Sequence, residues 1–256
     1  MPVTPRVSRA KLAGMPTTIG VVEALYRYPV KSMRGESVGR ANIGWYGIDG
    51  DRRLAFRRAG DTSGFPWLTA GKLAQLLLFE PQREGGAPDD ALPTAVRTPD
   101  GTTYPVFSAE LAADVERRYG SPVQMMQLTQ GTFDAATVSV ISTTTVDEIR
   151  RLSECAVDIR QFRPNVVLRM QEPVPFGEDD WIGGTLTFGE DADAPVVSVT
   201  MRDPRCAMIG LDVDSAQASP QVLKAVVRAN AGNAGVYGTV TGVGRIAVGQ
   251  SVYFTR

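Results

Sequence analysis

The chain has 256 residues, 43% of them hydrophobic, with 27 Lys plus Arg against 28 Asp plus Glu for a formal net charge of -1. That length accommodates one large domain or two small ones around an ordinary core, and the charge balance argues against a partner such as nucleic acid. There is no histidine and there are only two cysteines, which excludes Ser-His-Asp and Cys-His hydrolases, HExxH zinc enzymes, His-ligated iron or copper, all-cysteine zinc sites and iron–sulfur clusters.

The opening MPVTPRVSRAKLAGMP is basic but holds no signal-like apolar run, and no later stretch approaches the length of a membrane span. The expectation is a soluble, cytoplasmic protein without a membrane anchor, led by a loose segment over residues 1–17. Beyond it, 26 glycines and 17 prolines punctuate short apolar runs rich in Val, Ile, Leu and Thr, which reads as mostly β. A strand is expected from Thr17 until Tyr28-Pro29 stops the pairing. Further strands are expected at Glu36–Ile43, Arg52–Arg57, Gln75–Glu80, Ala95–Arg97, Val123–Leu128, Thr137–Ile141, Val166–Leu168 and Val196–Met201.

Three helices interrupt them. In Ser108–Tyr119, Leu111, Val115 and Tyr119 fall four apart behind a Ser108 cap, and Gly120 closes the end. Thr145-Val146-Asp147-Glu148 fits a capping box opening a helix through Leu152. Ser219-Pro220 opens a third through Arg228, ended by Asn230 and Gly232. Arg83–Pro93 and Gln171–Asp180 read as surface loops. The order suggests a mainly β, α+β protein of two fused β-barrel-like units, divided as residues 18–130 and 131–256.

Five segments offer chemistry. Lys31, Ser32 and Arg34 follow a strand end in YPVKSMRG, where charge, hydroxyl and turn amides suit an anion; a plain basic hairpin turn has the same composition. Arg52 either reaches that anion or is a solvated strand residue. Ser142-Thr143-Thr144-Thr145 puts hydroxyls at a helix start, for a polar ligand or for capping alone. Arg163 and Asn165 in FRPN are a ligand clamp or ordinary turn residues. In RDPRC, Cys206 stands beside Arg202 and Arg205, whose charge would favour the thiolate, whereas Cys155 in SECAV reads as a small core residue. With no His base, metal ligation or sulfur transfer suits Cys206 better than hydrolysis.

YPVKS with RG at Tyr28–Gly35, GDRRLAF at Gly50–Phe56, LTA with L and LL at Leu68–Leu78, FRPNVV at Phe162–Val167, Arg205-Cys206 with Asp212 downstream, and the ending GVYGTV…GRIAVGQSVYF together resemble the MOSC family. That domain is related to the C-terminal part of molybdenum cofactor sulfurase, here in its two-part form with an N-terminal MOSC barrel. The resemblance runs from about Ile19 to Phe254 and is nearest to the mitochondrial amidoxime-reducing component and its bacterial relatives. It implies molybdenum on molybdopterin at the seam of the two β-rich units, with Cys206 completing the metal's sulfur ligands. Lys31, Ser32, Arg52, Ser142, Thr143, Thr145, Arg163, Asn165, Arg205 and Asp212 match positions around that cofactor. Two departures stand out: Met33 replaces a frequent cysteine, and the Ser142–Thr145 stretch lacks the acid common among those relatives. The activity implied is reduction of N-hydroxylated compounds, with electrons from an external ferredoxin- or cytochrome-type protein. The rival is a sulfur carrier or transferase using a Cys206 persulfide; a cofactor-storage protein is a third possibility.

Overall fold

The computed structural model describes residues 14–83, 85 and 92–256. The expected leader falls largely outside these residues, as does most of the Arg83–Pro93 loop. The first half carries β1 (Thr17–Arg27), β2 (Glu36–Val38), β3 (Arg40–Gly44), β4 (Gly47–Ile48), β5 (Leu54–Arg58), β6 (Glu80–Gln82), β7 (Ala95–Arg97), β8 (Thr103–Pro105), α1 (Ala109–Tyr119) and β9 (Val123–Gln127). The second half carries β10 (Val138–Ser142), α2 (Thr143–Ser153), β11 (Val166–Met170), β12 (Thr185–Phe188), β13 (Val196–Pro204), α3 (Pro220–Asn230), β14 (Asn233–Gly242), β15 (Gly244–Ala247) and β16 (Ser251–Thr255).

Seven strands close a barrel in the order β11-β10-β14-β13-β12-β16-β1, sealed by antiparallel pairing of β1 with β11. The division expected at residue 130 is therefore crossed by hydrogen bonds, because β1 fills the gap between β16 and β11. Only β10 and β11 run parallel, with α2 in the connection between them, as a crossover requires. Three smaller sheets, β15-β3-β4, β5-β9 and β6-β7-β8, surround the barrel.

Strand alternation sorts the core. Val138 and Val140 of β10, like Val166 and Leu168 of β11, point into the barrel, while Ile141 and Val167 point outward beneath α2 and α3 with Val146, Ile149, Val222 and Val226. A third cluster, including Leu54, Phe56, Leu68, Phe79, Leu111 and Val115, holds α1 against β5 and β9.

α1 follows its sequence signals: Ser108 accepts from the Leu111 amide, and Gly120 takes the left-handed cap at φ 85°. Elsewhere three expectations are corrected. The Gln75–Glu80 run is a 3-10 turn over Ala74–Leu78, since three consecutive leucines carry no period that separates helix from strand. α2 is capped by Ser142, not Thr145, with the Ser142 side chain accepting from the Thr145 amide. Glu36–Ile43 is split between β2 and β3 at Gly39.

Candidate functional site

β1 ends at Arg27, and the chain then runs alongside residues 52–54. The Arg52 amide donates to the Tyr28 carbonyl at 2.8 Å, Leu54 to Pro29 at 3.0 Å and Lys31 to Leu54 at 2.7 Å. The Tyr28 amide donates to Asp51 Oδ1 at 2.7 Å. This ladder places Lys31 and Ser32 beside Arg52. A 3-10 turn over Ile159–Phe162 delivers Arg163 to the same place, and the end of β13 delivers Arg205 and Cys206. Ser32, Arg52 and Arg163 hold positive φ of 65°, 50° and 50°. Three non-glycine residues in that costly conformation meet at one spot, the pattern expected of a binding site.

There they enclose a cleft of about 280 Å3, lined also by Phe65, Asp134, Phe162, Asp203, Met208 and Tyr237. Six of the sequence-derived residues line it: Lys31, Ser32, Arg52, Arg163, Arg205 and Cys206. Asn165 lies 1% exposed beneath them. Its Nδ2 donates to Asp51 Oδ2 at 3.1 Å, and its Oδ1 accepts from the Ser139 amide at 3.1 Å. Its part is to hold Asp51, and so Arg52, in place.

The remaining four are elsewhere. Ser142 and Thr145 are fully buried, and the carboxylate of Glu178 accepts from the Ser142 amide at 2.6 Å and from Thr145 Oγ1 at 2.7 Å. Thr143 sits in the first turn of α2, away from the cleft lining. Asp212 closes its own turn, accepting from the amides of Asp214 at 3.1 Å and Ser215 at 2.7 Å. The hydroxyl run thus serves capping and the buried Glu178, because the helix is capped three residues earlier than its sequence suggested.

Four cations, Lys31, Arg52, Arg163 and Arg205, face two carboxylates, Asp134 and Asp203, across the cleft. Lys31 Nζ donates to Asp134 Oδ1 at 2.8 Å and stands 5.0 Å from the Phe65 ring centre. Burial lowers its pKa. Burial disfavours charge on Arg52, but the adjacent Asp51 carboxylate together with Tyr237 and Tyr28 outweighs it and raises the guanidinium's pKa. Arg163 lies 4.1 Å above the Tyr28 ring and donates to the Met33 carbonyl at 2.7 Å. Burial pulls it down to about 10, still charged at neutral pH, and its buried Nη2 has no partner. Buried donors are satisfied as a rule, so this orphan points to a ligand acceptor.

Cys206 is exposed at the cleft wall. Its expected cationic neighbours are engaged elsewhere. Arg205 binds the Ala234 and Phe162 carbonyls, both at 2.6–2.8 Å, and pairs with Asp203; Arg202 pairs with Asp179 at 3.1 Å. Arg205 therefore fixes the backbone that presents the thiol. Asp203 is 1% exposed, and burial pushes its carboxyl up to about 6 against the opposing pull of Arg205. Burial, then Asp203, raises the Tyr237 phenol. Asp51, Asp134, Asp203 and Tyr237 are not among the sequence-derived candidates, although GDRRLAF holds Asp51, GVYGTV holds Tyr237 and RDPRC holds Asp203.

Among the described residues no three His, Cys, Asp or Glu side chains gather as a metal site. A metal at Cys206 would therefore need a cofactor's own ligands, and the cation excess and the orphaned Arg163 donor fit an anionic cofactor of that kind.

No curated protein matches the sequence significantly. Among solved structures, the YuaD protein of Bacillus subtilis aligns over 94% of this chain and 97% of its own, with 15% identity and a TM-score of 0.52. That likeness bears on the fold alone. YiiM of Geobacillus stearothermophilus aligns over 47% of this chain and 54% of its own, at 16% identity and a TM-score of 0.36. The MOSC domain profile matches residues 104–253, well over half of the sequence, and the chain belongs to the MOSC domain family.

Proposed function

We propose that this protein binds molybdopterin-held molybdenum in the Cys206 cleft and reduces N-hydroxylated compounds such as amidoximes or hydroxylamines. The observation that carries the reading is the union, in one cleft, of an exposed thiol, four cationic side chains and a buried guanidinium nitrogen without a partner. Arg163 and Lys31 would grip the cofactor's anionic end, Arg52 and Ser32 its polar edge, and Cys206 would ligate the metal. When bound, the metal would supply two-electron chemistry that takes up the oxygen of an N–O bond. Phe65 and the buried Phe162 supply apolar wall to the cleft. With no imidazole in the chain, protons must come from water or a carboxylate, and Asp203, with its raised pKa, is the carboxyl in the wall best suited to hold one near neutrality.

Electrons would come from a separate ferredoxin- or cytochrome-type protein, and the chain would work in the cytoplasm; no described helix is long and apolar enough to cross a membrane. The sulfur-transfer alternative draws on the exposure of Cys206, with Arg202 and Arg205 each paired to a carboxylate, Asp179 and Asp203.

The test is molybdenum and pterin content of protein from a cofactor-producing host, for wild type and Cys206→Ser. Near-equimolar metal lost in the variant supports the reading, to be followed by reduction of N-hydroxylated compounds with an artificial electron donor. Metal absent from both, with cyanide-releasable sulfur on Cys206, would replace it with the transferase.

A further inference from the structure

Next to the cleft lies a larger groove of about 1080 Å3, between α3, the end of α2 and residues 70–74. The two are continuous: Gly71 and Met208 line both, and the groove begins at Ala207, directly after Cys206. Its floor is apolar, with Met208, Leu211, Leu223 and Val227, the last 53% exposed. α3 buries Val222, Ala225 and Val226 in the core and turns Leu223 and Val227, one helical turn apart, into the groove.

Lys72, Lys224 and Arg228 stand around this floor. All three are exposed and none has an ion pair or side-chain hydrogen bond among the described residues. Most of the other described Lys and Arg have such a partner, in most cases a carboxylate. Unpaired cations thus collect at one apolar depression, faced by a single carboxylate, Glu154. Its size and its apolar lining with few charged groups are those of a small-molecule site.

We propose that the groove binds the body of an amphipathic organic anion, an acyl or aryl chain bearing a carboxylate or sulfonate, with its far end reaching the Cys206 cleft. The apolar part lies on Leu211, Leu223 and Val227, and the acid meets Lys224, Arg228 or Lys72. The chain's own residues 1–13, with Arg6, Arg9, Lys11 and no acid, carry the wrong charge for this place. As a substrate site the groove rests on the reductase reading; as a binding site it does not.

Binding is measured on the full chain by displacement of anilinonaphthalene sulfonate with decanoate or decylamine. Decanoate is expected to compete well below the concentration at which decylamine does. Lys224→Glu with Arg228→Glu is expected to weaken decanoate about tenfold, the sum of two exposed charge contacts. Leu223→Asp should weaken it as well. Equal competition by the amine, no competition by decanoate, or indifference to the charge reversal in a variant that keeps its melting temperature would overturn the proposal. In cofactor-loaded protein, an aryl hydroxylamine with a remote carboxylate should show a KM raised about tenfold by the charge reversal, with kcat unchanged. If no N-hydroxylated compound is reduced at all, the reductase reading fails, while the decanoate result still decides the groove.

Discussion

Arg205 Nη2 lies 2.7 Å from Asp203 Oδ2, and the two side chains are 6% and 1% exposed. Ser139 Oγ donates to the same oxygen at 2.8 Å, yet burial dominates and the carboxyl sits at about 6. An unfolded aspartate titrates near about 3.9. The folded state thus holds this proton more tightly, and between roughly pH 4 and 6 its contribution to stability falls as pH rises, by about 3 kcal/mol in all. Urea unfolding of wild type and Asp203→Asn across that interval checks the sign. The stability of wild type relative to Asp203→Asn, which does not titrate there, should fall as pH rises toward 6; a constant difference would remove Asp203 as the titrating group.

Ser142 and Thr145 are predicted to matter for folding and not for the cleft. Thr145→Val keeps the shape but deprives Glu178 of a 2.7 Å hydrogen bond and leaves the Phe176 amide, 2.8 Å from Thr145 Oγ1, without its acceptor. A loss of about 1–3 kcal/mol is expected from such buried groups. Metal and pterin content, once the protein is folded, should match wild type. Cofactor loss without loss of melting temperature would return this stretch to the site.

The two thiols should differ in reactivity. Cys206 is exposed, whereas Cys155 is partly buried, 3.3 Å from both the Ser153 carbonyl and Ser219 Oγ. With cofactor-free protein, a thiol reagent such as dithionitrobenzoate should show one fast phase in wild type and in Cys155→Ser, and none in Cys206→Ser. A fast phase surviving in Cys206→Ser would mean that Cys155 is the accessible thiol.

Gly35 is a sensitive position, although it lies outside the cleft. A methyl group there would come 2.3 Å from Tyr28 Cε1, and the Tyr28 ring is the platform for Arg163 and Arg52. Gly35→Ala is expected to cost about 1–3 kcal/mol by overpacking and to reduce retention of any anionic ligand. Gly39→Ala, where nothing stands within 4 Å, should stay within about 0.5 kcal/mol of wild type by thermal unfolding. Equal effects of the two would count against the packing argument.

Features written in neighbouring residues were legible. α1 declared itself because Ser108, Leu111, Val115 and Gly120 supply cap, stripe and stop within thirteen positions. The order of the motifs around Lys31, Arg52, Arg163 and Cys206 likewise named six residues that share one cleft. For Ser142 and Thr145 the sequence left ligand binding and capping open, because their partner, Glu178, lies more than thirty residues away in what reads as a loop. The acceptors of the Arg205 guanidinium were out of local view for the same reason: they include the Ala234 carbonyl on β14.

From sequence alone, the absence of histidine fixed which chemistries this chain cannot perform, and the strand alternation and helix caps fixed most of its elements. Only the tertiary structure placed β1 in a barrel with strands from the far end of the chain. Only it set the three unpaired cations at the groove, Lys72, Lys224 and Arg228, apart from those with partners. Periodicity and capping act over a few residues, so sequence records them. Burial and charge pairing depend on which distant segments meet when the barrel closes, and a carboxylate or carbonyl a hundred residues away decides whether a charge is spent or free.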